Sequence, residues 1–516
     1  MTILTRIVAS LILLAGLGIA AAQPTVLRYP ITSNPATFEP GLAKELLTAE
    51  VALNLHVGLF TYDADTSVVP YLVRSYGVSD DGLTYTFELH EGATWHNGRA
   101  IVAQDFKLGW ERYLGASLGA QTAGDPWRLV VGGPAMFAGD ASELTGVQAL
   151  GDHTLEVTLT GPNPKFLQEL AVPSMWVVPS EAVVPGEPRW VDAPVGGGPF
   201  RFVSWQPGSM IVLEANDDFF LGRPEIDRIE YHIVPDASTA LAQYEAGELD
   251  VVAVPPAALA RVTNDPRLGA EIQYFTRAQL QYVGMNQSQF EPFRDARVRA
   301  AFFHAIDRDT IAERVQNGAW ANATGLVPPH IPQHDPDLAA RPYDPERARE
   351  LLADAGYPGG QGFPRVEIAS LSATVGEAIA AMLRANLGIA VEVIQPERGD
   401  YISGLWSHDR WSLFAFGWTA DTPSASVWTY EMLYCGLDSN FSTYCNEEVD
   451  RAIDLARSHL DPEASTAAWR EAERIAMDDA ALIPLGYSRF IYLVRPGIEG
   501  FAANLFGPVS FADVSR

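Results

Sequence analysis

The chain has 516 residues, of which 47% are hydrophobic and 19% charged, a composition that excludes a disordered or fibrous protein. It carries 64 acidic and 35 basic residues, and its formal net charge of −29 argues against a nucleic-acid partner because it repels phosphate backbones. The length corresponds to roughly two or three domains.

Residues 1–22 predict a cleavable export signal. Arg6 supplies the positive charge, residues 7–19 form an apolar run, and Ala22 ends a group of three alanines suited to cleavage before Gln23. The apolar run is shorter than a membrane-spanning helix requires, so we expect cleavage rather than an anchor. The mature protein is therefore predicted to lie in the periplasm or another extracytoplasmic compartment.

Alternating apolar and polar residues predict half-buried strands at 84–89, 155–159 and 226–233. Proline- and glycine-rich stretches at 179–200 and 327–342 are typical of loops and are candidate crossings between lobes, although neither by itself establishes a hinge.

Capping residues and apolar spacing predict helices between these strands. Asp295 is a suitable N-cap for a helix over 296–306, while Asp344 and Pro345 begin a helix that Gly356 ends. Further helices are predicted at 105–114, 377–387 and 447–459. Because strands and helices are interleaved, the class is α/β or α+β.

The two cysteines, Cys435 and Cys445, predict a disulfide because export leads to an oxidising compartment. A zinc site would need further ligands, and no histidine lies nearby in the sequence. His330 and His334 form a close pair in a proline-rich stretch and are interpreted as loop residues. We predict no metal site.

Residues 115–119 match the G-x-S-x-G pattern of serine hydrolases, with Ser117 as the nucleophile. That nucleophile must follow a strand, whereas residues 105–114 predict a helix. The sequence contains neither an HExxH zinc helix nor a phosphate-binding loop of the GxxxxGK[ST] type. We therefore expect no catalytic residue and no cofactor, and a secreted hydrolase remains the distant alternative.

Five segments carry motifs that occur together, in this order, in one family. The segments are 79–112, 195–200, 284–308, 343–356 and 417–421. They resemble the oligopeptide- and dipeptide-binding proteins, which are family 5 of the extracytoplasmic solute-binding proteins of ABC importers. The resemblance extends over nearly the whole mature chain. It implies an α/β, periplasmic-binding-protein-like fold with two lobes, an extra inserted domain and a ligand cleft between the lobes.

The resemblance also implies the domain organisation, with boundaries near residues 60, 185, 272 and 482. Domain I would be discontinuous and form one lobe, domain II would be the insert, and domain III would form the second lobe. The expected ranges are 23–60, 186–272 and 482–516 for domain I, 61–185 for domain II, and 273–481 for domain III.

The same resemblance implies a binding site for peptides. Asp421 occupies the position of the aspartate that pairs with the ligand's amine, and desolvating that amine without a partner costs several kcal/mol. Trp418 would form the wall of a side-chain pocket. Backbone groups of Gly417 and Thr419 would pair with the peptide as an added strand. Leu46 lies where the family's domain I offers its own backbone to the peptide.

Departures from the family concern the ligand's carboxylate. Ala415 and Phe416 replace the segment in which oligopeptide-binding relatives place an arginine, and Arg398 is a candidate for the missing positive charge. The disulfide is similar to one in some dipeptide-binding relatives and would lie close to the cleft.

The resemblance implies capture of di- or oligopeptides and delivery to a membrane permease with its ATPases. The alternative is the same role for a sugar, nickel chelate, haem or other small solute. We expect a monomer and no nucleic-acid partner.

Overall fold

The computed structural model describes residues 24–43, 46–63, 67–115, 124–163, 165–182, 193–420, 422–459 and 461–516. The strands of the described chain are β1 (Val26–Ile31), β2 (Phe60–Tyr62), β3 (Val68–Pro70), β4 (Val73–Val78), β5 (Thr84–Leu89), β6 (Val147–Ala149), β7 (Thr154–Thr158), β8 (Phe200–Gln206), β9 (Met210–Ala215), β10 (Arg228–Ile233), β11 (Val251–Ala253), β12 (Ile272–Met285), β13 (Trp320–Ala321), β14 (Val366–Ser370), β15 (Val391–Ile394), β16 (Leu413–Thr419) and β17 (Leu482–Val494).

The α-helices of the same ranges are α1 (Leu46–Leu55), α2 (Ala103–Leu114), α3 (Gly124–Leu129), α4 (Gly133–Ala138), α5 (Phe166–Leu170), α6 (Ala237–Ala246), α7 (Pro256–Asn264), α8 (Pro266–Ala270), α9 (Ala296–Ala305), α10 (Arg308–Thr310), α11 (Pro345–Asp354), α12 (Ala373–Leu387), α13 (Arg398–Trp406), α14 (Tyr430–Leu433), α15 (Glu447–Ser458) and α16 (Pro462–Asp478). Among the described residues, no helix is both long and apolar enough to span a membrane.

Three large hydrophobic cores organise these elements. The β1 core packs the sheet β1-β10-β9-β8 against α1 and the C-terminal residues, and includes Leu27, Tyr231 and Phe511. The β5 core packs the antiparallel sheet β4-β5-β7-β6 against α2, with Phe87 and Trp110 at its centre. The β16 core is the largest and lies around the sheet β11-β17-β12-β16-β14-β15.

The β1 and β5 cores are joined by a buried carboxylate. Glu39 accepts a hydrogen bond of 2.5 Å from Arg112 and one of 3.0 Å from the hydroxyl of Tyr113, both on α2. The glycine-rich segment after residue 193 also crosses between these cores, where Gly198 donates to the carbonyl of Leu55 at 3.0 Å. A Cβ at Gly196 or Gly198 would overlap the Leu55 backbone, so this close approach requires glycine.

Two long strands connect the β1 and β16 cores. β12 and β17 pair antiparallel over most of their length, but their register shifts between Thr276 and Leu280. The C-terminal half of β12 is buried in the β16 core, whereas Phe275 packs against the β1 core. β17 changes core in the same region, since Tyr487 belongs to the β16 core and Tyr492 to the β1 core. The irregular pairing therefore lies where both strands pass from one core to the other.

The predicted elements agree closely with the observed ones. The strand predicted at 84–89 is β5, and the strands predicted at 155–159 and 226–233 overlap β7 and β10. Asp295 caps α9 and Asp344 caps α11, each by accepting a backbone hydrogen bond, and Gly356 has a φ of 101° just after α11. α12 begins earlier than predicted because Ser372 caps it.

Candidate functional site

The edge of β16 is only partly paired. On one side β16 pairs with β12 along its whole length, from Leu413 to Thr419. On the other side β14 pairs with it only at Leu413, Phe414 and Ala415. Beyond Ala415 no described strand continues along this edge. The last four residues of β16 therefore form an open edge, and an open edge can accept another strand.

The register determines which backbone groups face this open edge. In an antiparallel pair, opposed residues alternate between those that exchange hydrogen bonds with each other and those whose N–H and C=O point away. Ala420 donates to the carbonyl of Ala278 at 2.8 Å, so the bonded pairs continue at Trp418 and Phe416. The N–H and C=O groups of Gly417 and Thr419 consequently point to the open edge.

The paired part of the edge ends at a specific contact. The hydroxyl of Tyr401, on α13, donates a hydrogen bond of 2.7 Å to the carbonyl of Ala415. Burial raises the pKa of Tyr401, so this hydroxyl stays protonated and acts as a donor. The carbonyl of Ala415 is thus satisfied within the protein, and the backbone groups available to a ligand begin at Gly417.

Trp418 lies at this edge and is half-buried. Its ring packs against Phe416 and Phe441, with ring centroids 6.4 Å and 5.5 Å away. Its indole N–H is buried and has no hydrogen-bond partner among the described residues. A buried donor without a partner costs free energy, and a ligand acceptor would remove that cost.

A polar row lies on the opposite face of the sheet from Trp418. Gln279 donates to the hydroxyl of Thr419 at 2.7 Å, and Gln281 donates to Gln279 and to the hydroxyl of Ser488, each at 3.0 Å. Gly417 faces Gln281, and a Cβ at this position would crowd the amide of Gln281. The row joins β16, β12 and β17 on a partly exposed face beside the open edge.

The loop after β16 is held by the predicted disulfide. Cys435 and Cys445 are bonded, with Cα atoms 4.8 Å apart, which confirms the prediction. Within this loop, buried Asn440 donates to the carbonyls of Tyr434 and Tyr444 at 3.2 Å and 2.7 Å. These bonds fix Phe441, whose ring packs on Trp418.

A hydrogen bond from Lys165 is one of the contacts that join the β5 core to the β16 core. Lys165, at the start of α5, donates a hydrogen bond of 2.9 Å to the hydroxyl of Ser426. Ser426 follows β16 along the chain and lies in a 3₁₀ turn whose first residue, Ala425, is buried. The segment that follows the open edge along the chain is therefore in contact with the β5 core.

Comparison with known proteins identifies the family. A profile of the bacterial extracellular solute-binding proteins, family 5 (middle region), matches residues 67–440, which is most of the chain. The chain belongs to this family. It is 27% identical to the dipeptide-binding protein of Escherichia coli, over 96% of this chain and 95% of that protein. It is 28% identical to heme-binding protein A of Haemophilus influenzae, over 87% of this chain and 84% of that protein.

A solved structure gives the same architecture. The unliganded open form of the periplasmic murein tripeptide binding protein MppA is similar with a TM-score of 0.85, covering 96% of this chain and 98% of that chain. The identity is 22%, so this likeness concerns the fold alone. The expected family and its two-lobed α/β fold are confirmed, and the polar row and open edge belong to a family 5 solute-binding protein.

The structure brings some of the predicted site residues together. Gly417, Trp418 and Thr419 form the open edge itself. Arg398 is exposed at the start of α13, one turn before Tyr401, and has no ion-pair partner in the described chain. Asp421 lies outside the described residues. Leu46 begins α1 against the β1 core, and only its backbone is described.

The other candidate sites of the sequence are Ser117, the histidine pair and the cysteines. Ser117 lies outside the described residues. His334 forms a hydrogen bond of 2.7 Å with the carbonyl of Val327, consistent with its interpretation as a loop residue. Cys435, Cys445 and Asp450 lie close together, but both sulfurs are bonded to each other and are not free metal ligands.

Sequence reasoning missed the polar row and the partner ring of Trp418. Gln279 and Gln281 alternate with buried Leu280 on β12, which is a detectable strand pattern, but their proximity to Thr419 depends on the register. Phe441 lies between the two cysteines, and nothing in the sequence indicates that it contacts Trp418.

Proposed function

We propose that this chain is the extracytoplasmic substrate-binding subunit of an ABC importer. In this proposal it captures a short peptide between its lobes and delivers it to a membrane permease with its ATPases. The open edge at Gly417 and Thr419 carries the proposal, since it offers N–H and C=O groups to an extended backbone. The similarity to a protein named for dipeptide binding supports the same ligand class.

Binding as an added strand explains how such a site accepts many peptides. Backbone hydrogen bonds give affinity that does not depend on the peptide's side chains, while pockets on either side add selectivity. Trp418 forms one wall of a pocket on one face of the sheet. The polar row at Gln279 and Gln281 lies on the other face, where it favours polar or small side chains.

The proposed domains follow the expected boundaries, namely 23–60, 186–272 and 482–516 for domain I, 61–185 for domain II and 273–481 for domain III. The separate β1, β5 and β16 cores support this division. The irregular pairing of β12 and β17 between Thr276 and Leu280 supports a hinge there, because fewer regular hydrogen bonds resist bending. Closure on the peptide gives the permease a closed form to recognise.

Further parts of the proposed site come from the family resemblance. Asp421 pairs with the peptide's amine, and the backbone at Leu46 contacts the peptide from the first lobe. Arg398 adds a positive charge at the rim of the cleft. The export signal at 1–22 delivers the protein to its compartment, and a mature N-terminus at Gln23, read by mass spectrometry, tests that step.

The decisive experiment is mass spectrometry of the molecules released when the purified mature protein is denatured. A set of intact short peptides is the expected result, and their length gives the ligand size. A released sugar, chelate or single metabolite would overturn the peptide assignment while keeping the transport role. Peptides recovered as fragments of an added intact peptide would contradict a protein that binds without cleaving.

A haem ligand is the second candidate, since a relative of similar identity is named for haem binding. The same purified sample distinguishes the two. Haem would give strong visible absorbance after reconstitution, whereas peptides give none.

A further inference from the structure

Arg277 occupies an unusual position between the two lobes. It lies on β12 within the irregular stretch from Thr276 to Leu280, where the strand passes from the β1 core to the β16 core. Side chains alternate along a strand, so Arg277 shares one face with Phe275 and Gln279. Phe275 packs on the β1 core, and Gln279 begins the polar row. Arg277 therefore lies where an apolar core ends and the polar row begins.

The surroundings of Arg277 do not satisfy its charge. Its guanidinium stacks over Phe490 at 5.2 Å from the ring centroid. Within the described ranges it takes part in no hydrogen bond and no ion pair. Burial disfavours the charged form and lowers the pKa of Arg277, with only Tyr492 acting in the opposite direction. A guanidinium has five N–H donors, and burying them without hydrogen-bond partners costs free energy.

The other partly buried arginines in the described ranges have hydrogen-bond or ion-pair partners. Arg112 donates to Glu39 at 2.5 Å, and Arg299 pairs with Asp479 at 2.7 Å. Arg308 donates to three backbone carbonyls, including that of Ala323 at 3.1 Å. The chain has 64 acidic residues, yet Arg277, alone among the partly buried arginines that the structure describes, contacts only an aromatic ring.

We propose that Arg277 binds a carboxylate of the captured peptide at the base of the cleft. The inference rests on the proposed peptide function. Its support is the position between the two lobes, two residues from Gln279 and hence from the open edge at Thr419. A carboxylate matches the fork of a guanidinium and restores the missing hydrogen bonds. Lobe closure excludes water and strengthens this pair.

Arg398 is the competing candidate for the same role. It is exposed on α13, so its charge is already solvated and an ion pair there gains little. Arg489 is the matched control, because it lies on β17 opposite Thr276 and also stacks on a ring, that of Tyr274 at 5.4 Å. It is exposed on the other face of the same two strands.

The test uses alanine peptides of lengths spanning dipeptide to pentapeptide, each as the free acid and as the C-terminal amide. A third series carries one glutamate in an amidated peptide. Affinities are measured by calorimetry on the full mature chain after its bound molecules have been removed by denaturation and refolding. The proteins are wild type, Arg277→Met, Arg398→Met and Arg489→Met.

We expect the wild type to prefer a carboxylate-bearing peptide over the plain amide by about 10- to 100-fold, as for hydrogen bonds to charged groups. Arg277→Met should remove this preference while leaving the affinity for the amide unchanged. Arg489→Met should keep the full preference, and Arg398→Met should reduce it at most slightly, because an exposed ion pair at the rim gains little. The series that loses affinity tells whether the terminal or the glutamate carboxylate is bound.

Retention of the preference by Arg277→Met, its absence from the wild type, or its loss in Arg398→Met would overturn the assignment. Loss of amide binding in Arg277→Met would make the residue structural and would equally overturn it. Failure of the folded wild type to bind any of the peptides is a different result, because it rejects the proposed peptide function itself.

Discussion

The ammonium of Lys165 donates a hydrogen bond of 2.9 Å to the hydroxyl of Ser426, joining the β5 core to the β16 core. Because the two residues lie on parts of the chain that we expect to move relative to each other, this bond should favour the approach of the lobes. Lys165→Met should therefore increase the radius of gyration of the unliganded protein in X-ray scattering. Peptide affinity should fall a few-fold, because the closed state becomes less populated.

Lys107→Met is the control for this substitution. Lys107 lies on α2 and donates to Glu143 at 2.8 Å, next to Leu144 of the β5 core. Its replacement therefore removes a charge without removing a contact to the second lobe. Indistinguishable scattering curves for the two variants would show that the Lys165 contact does not influence lobe opening.

Thr419→Pro tests the open edge directly. The register directs the N–H of Thr419 away from β12, so proline removes a donor to the ligand without removing a bond of the sheet. We expect peptide affinity to fall about tenfold, the value of one hydrogen bond, with a small change in melting temperature. Calorimetry and thermal unfolding measure the two effects.

Two variants make that result specific. Thr419→Val removes the hydroxyl that accepts from Gln279 but keeps the N–H, and should retain most of the affinity. Trp418→Pro removes an N–H that the register directs to Leu280, and should destabilise the sheet. If Thr419→Pro binds peptides like wild type, the peptide does not add to this edge.

The disulfide between Cys435 and Cys445 should stabilise both the fold and the site. Its sequence separation is 10, and replacing both cysteines with serine should lower the free energy of unfolding by about 2–3 kcal/mol. The loop also carries Phe441 against Trp418, so ligand affinity should decrease with it. Urea unfolding measures the change in stability, and calorimetry measures the change in affinity. A destabilised variant with unchanged affinity would show that the disulfide loop does not contribute to ligand binding.

The sequence was sufficient for the local elements and the family. β5 alternates apolar and polar residues in its Thr84–Leu89 run, and its observed burial alternates in the same way. Local capping also determined where α9 and α11 begin. The start of α12 was missed, because the small residues after Ser372 have no strong apolar period and only the cap marks the first turn.

The site depends on pairings that no local pattern records. Gln279 and Thr419 are 140 positions apart, and only the β12–β16 register brings their side chains together. No pattern in the sequence marks Arg277. Its lack of hydrogen-bond and ion-pair partners follows from the packing of the surrounding cores. The resemblance identified the motif around Trp418. It did not indicate that the edge of β16 is open there, because this depends on β14 ending its pairing at Ala415.

Asp421→Asn tests the proposed amine contact. If Asp421 is the partner of the peptide's ammonium, its loss leaves a buried charge unpaired and should weaken binding by roughly 3 kcal/mol. N-acetylated peptides provide the control, because they lack the ammonium and should bind the variant and the wild type alike. Equal affinities of the two proteins for unmodified peptides would mean that the amine is held elsewhere.

Glu50 should make the stability of the protein depend on pH. It lies on α1 in the β1 core, where the hydroxyl of Tyr29 donates to it at 3.4 Å. Burial raises the pKa of Glu50 from 4.5 to about 8, and hydrogen bonds from Tyr29 and the backbone of Val509 lower it only in part. Between these two pH values the folded state holds a proton that the unfolded state has released. The free energy of unfolding therefore falls as pH rises through this window, by at most about 1.4 kcal/mol per pH unit.

Glu50→Gln keeps an acceptor for Tyr29 and removes the titration, so the decline in unfolding free energy between pH 5 and pH 8 should be smaller in this variant. Burial also raises the pKa of Glu473 to about 7, so this group likewise makes the free energy of unfolding fall as pH rises. Burial lowers the pKa of His56 to about 3, so this group makes the free energy of unfolding rise with pH below the ordinary histidine pKa. Both contributions are common to wild type and variant and cancel in the difference. Urea unfolding at pH 5 and pH 8 measures this difference between the two proteins. Equal declines in unfolding free energy for wild type and Glu50→Gln would show that Glu50 is ionised in the folded protein.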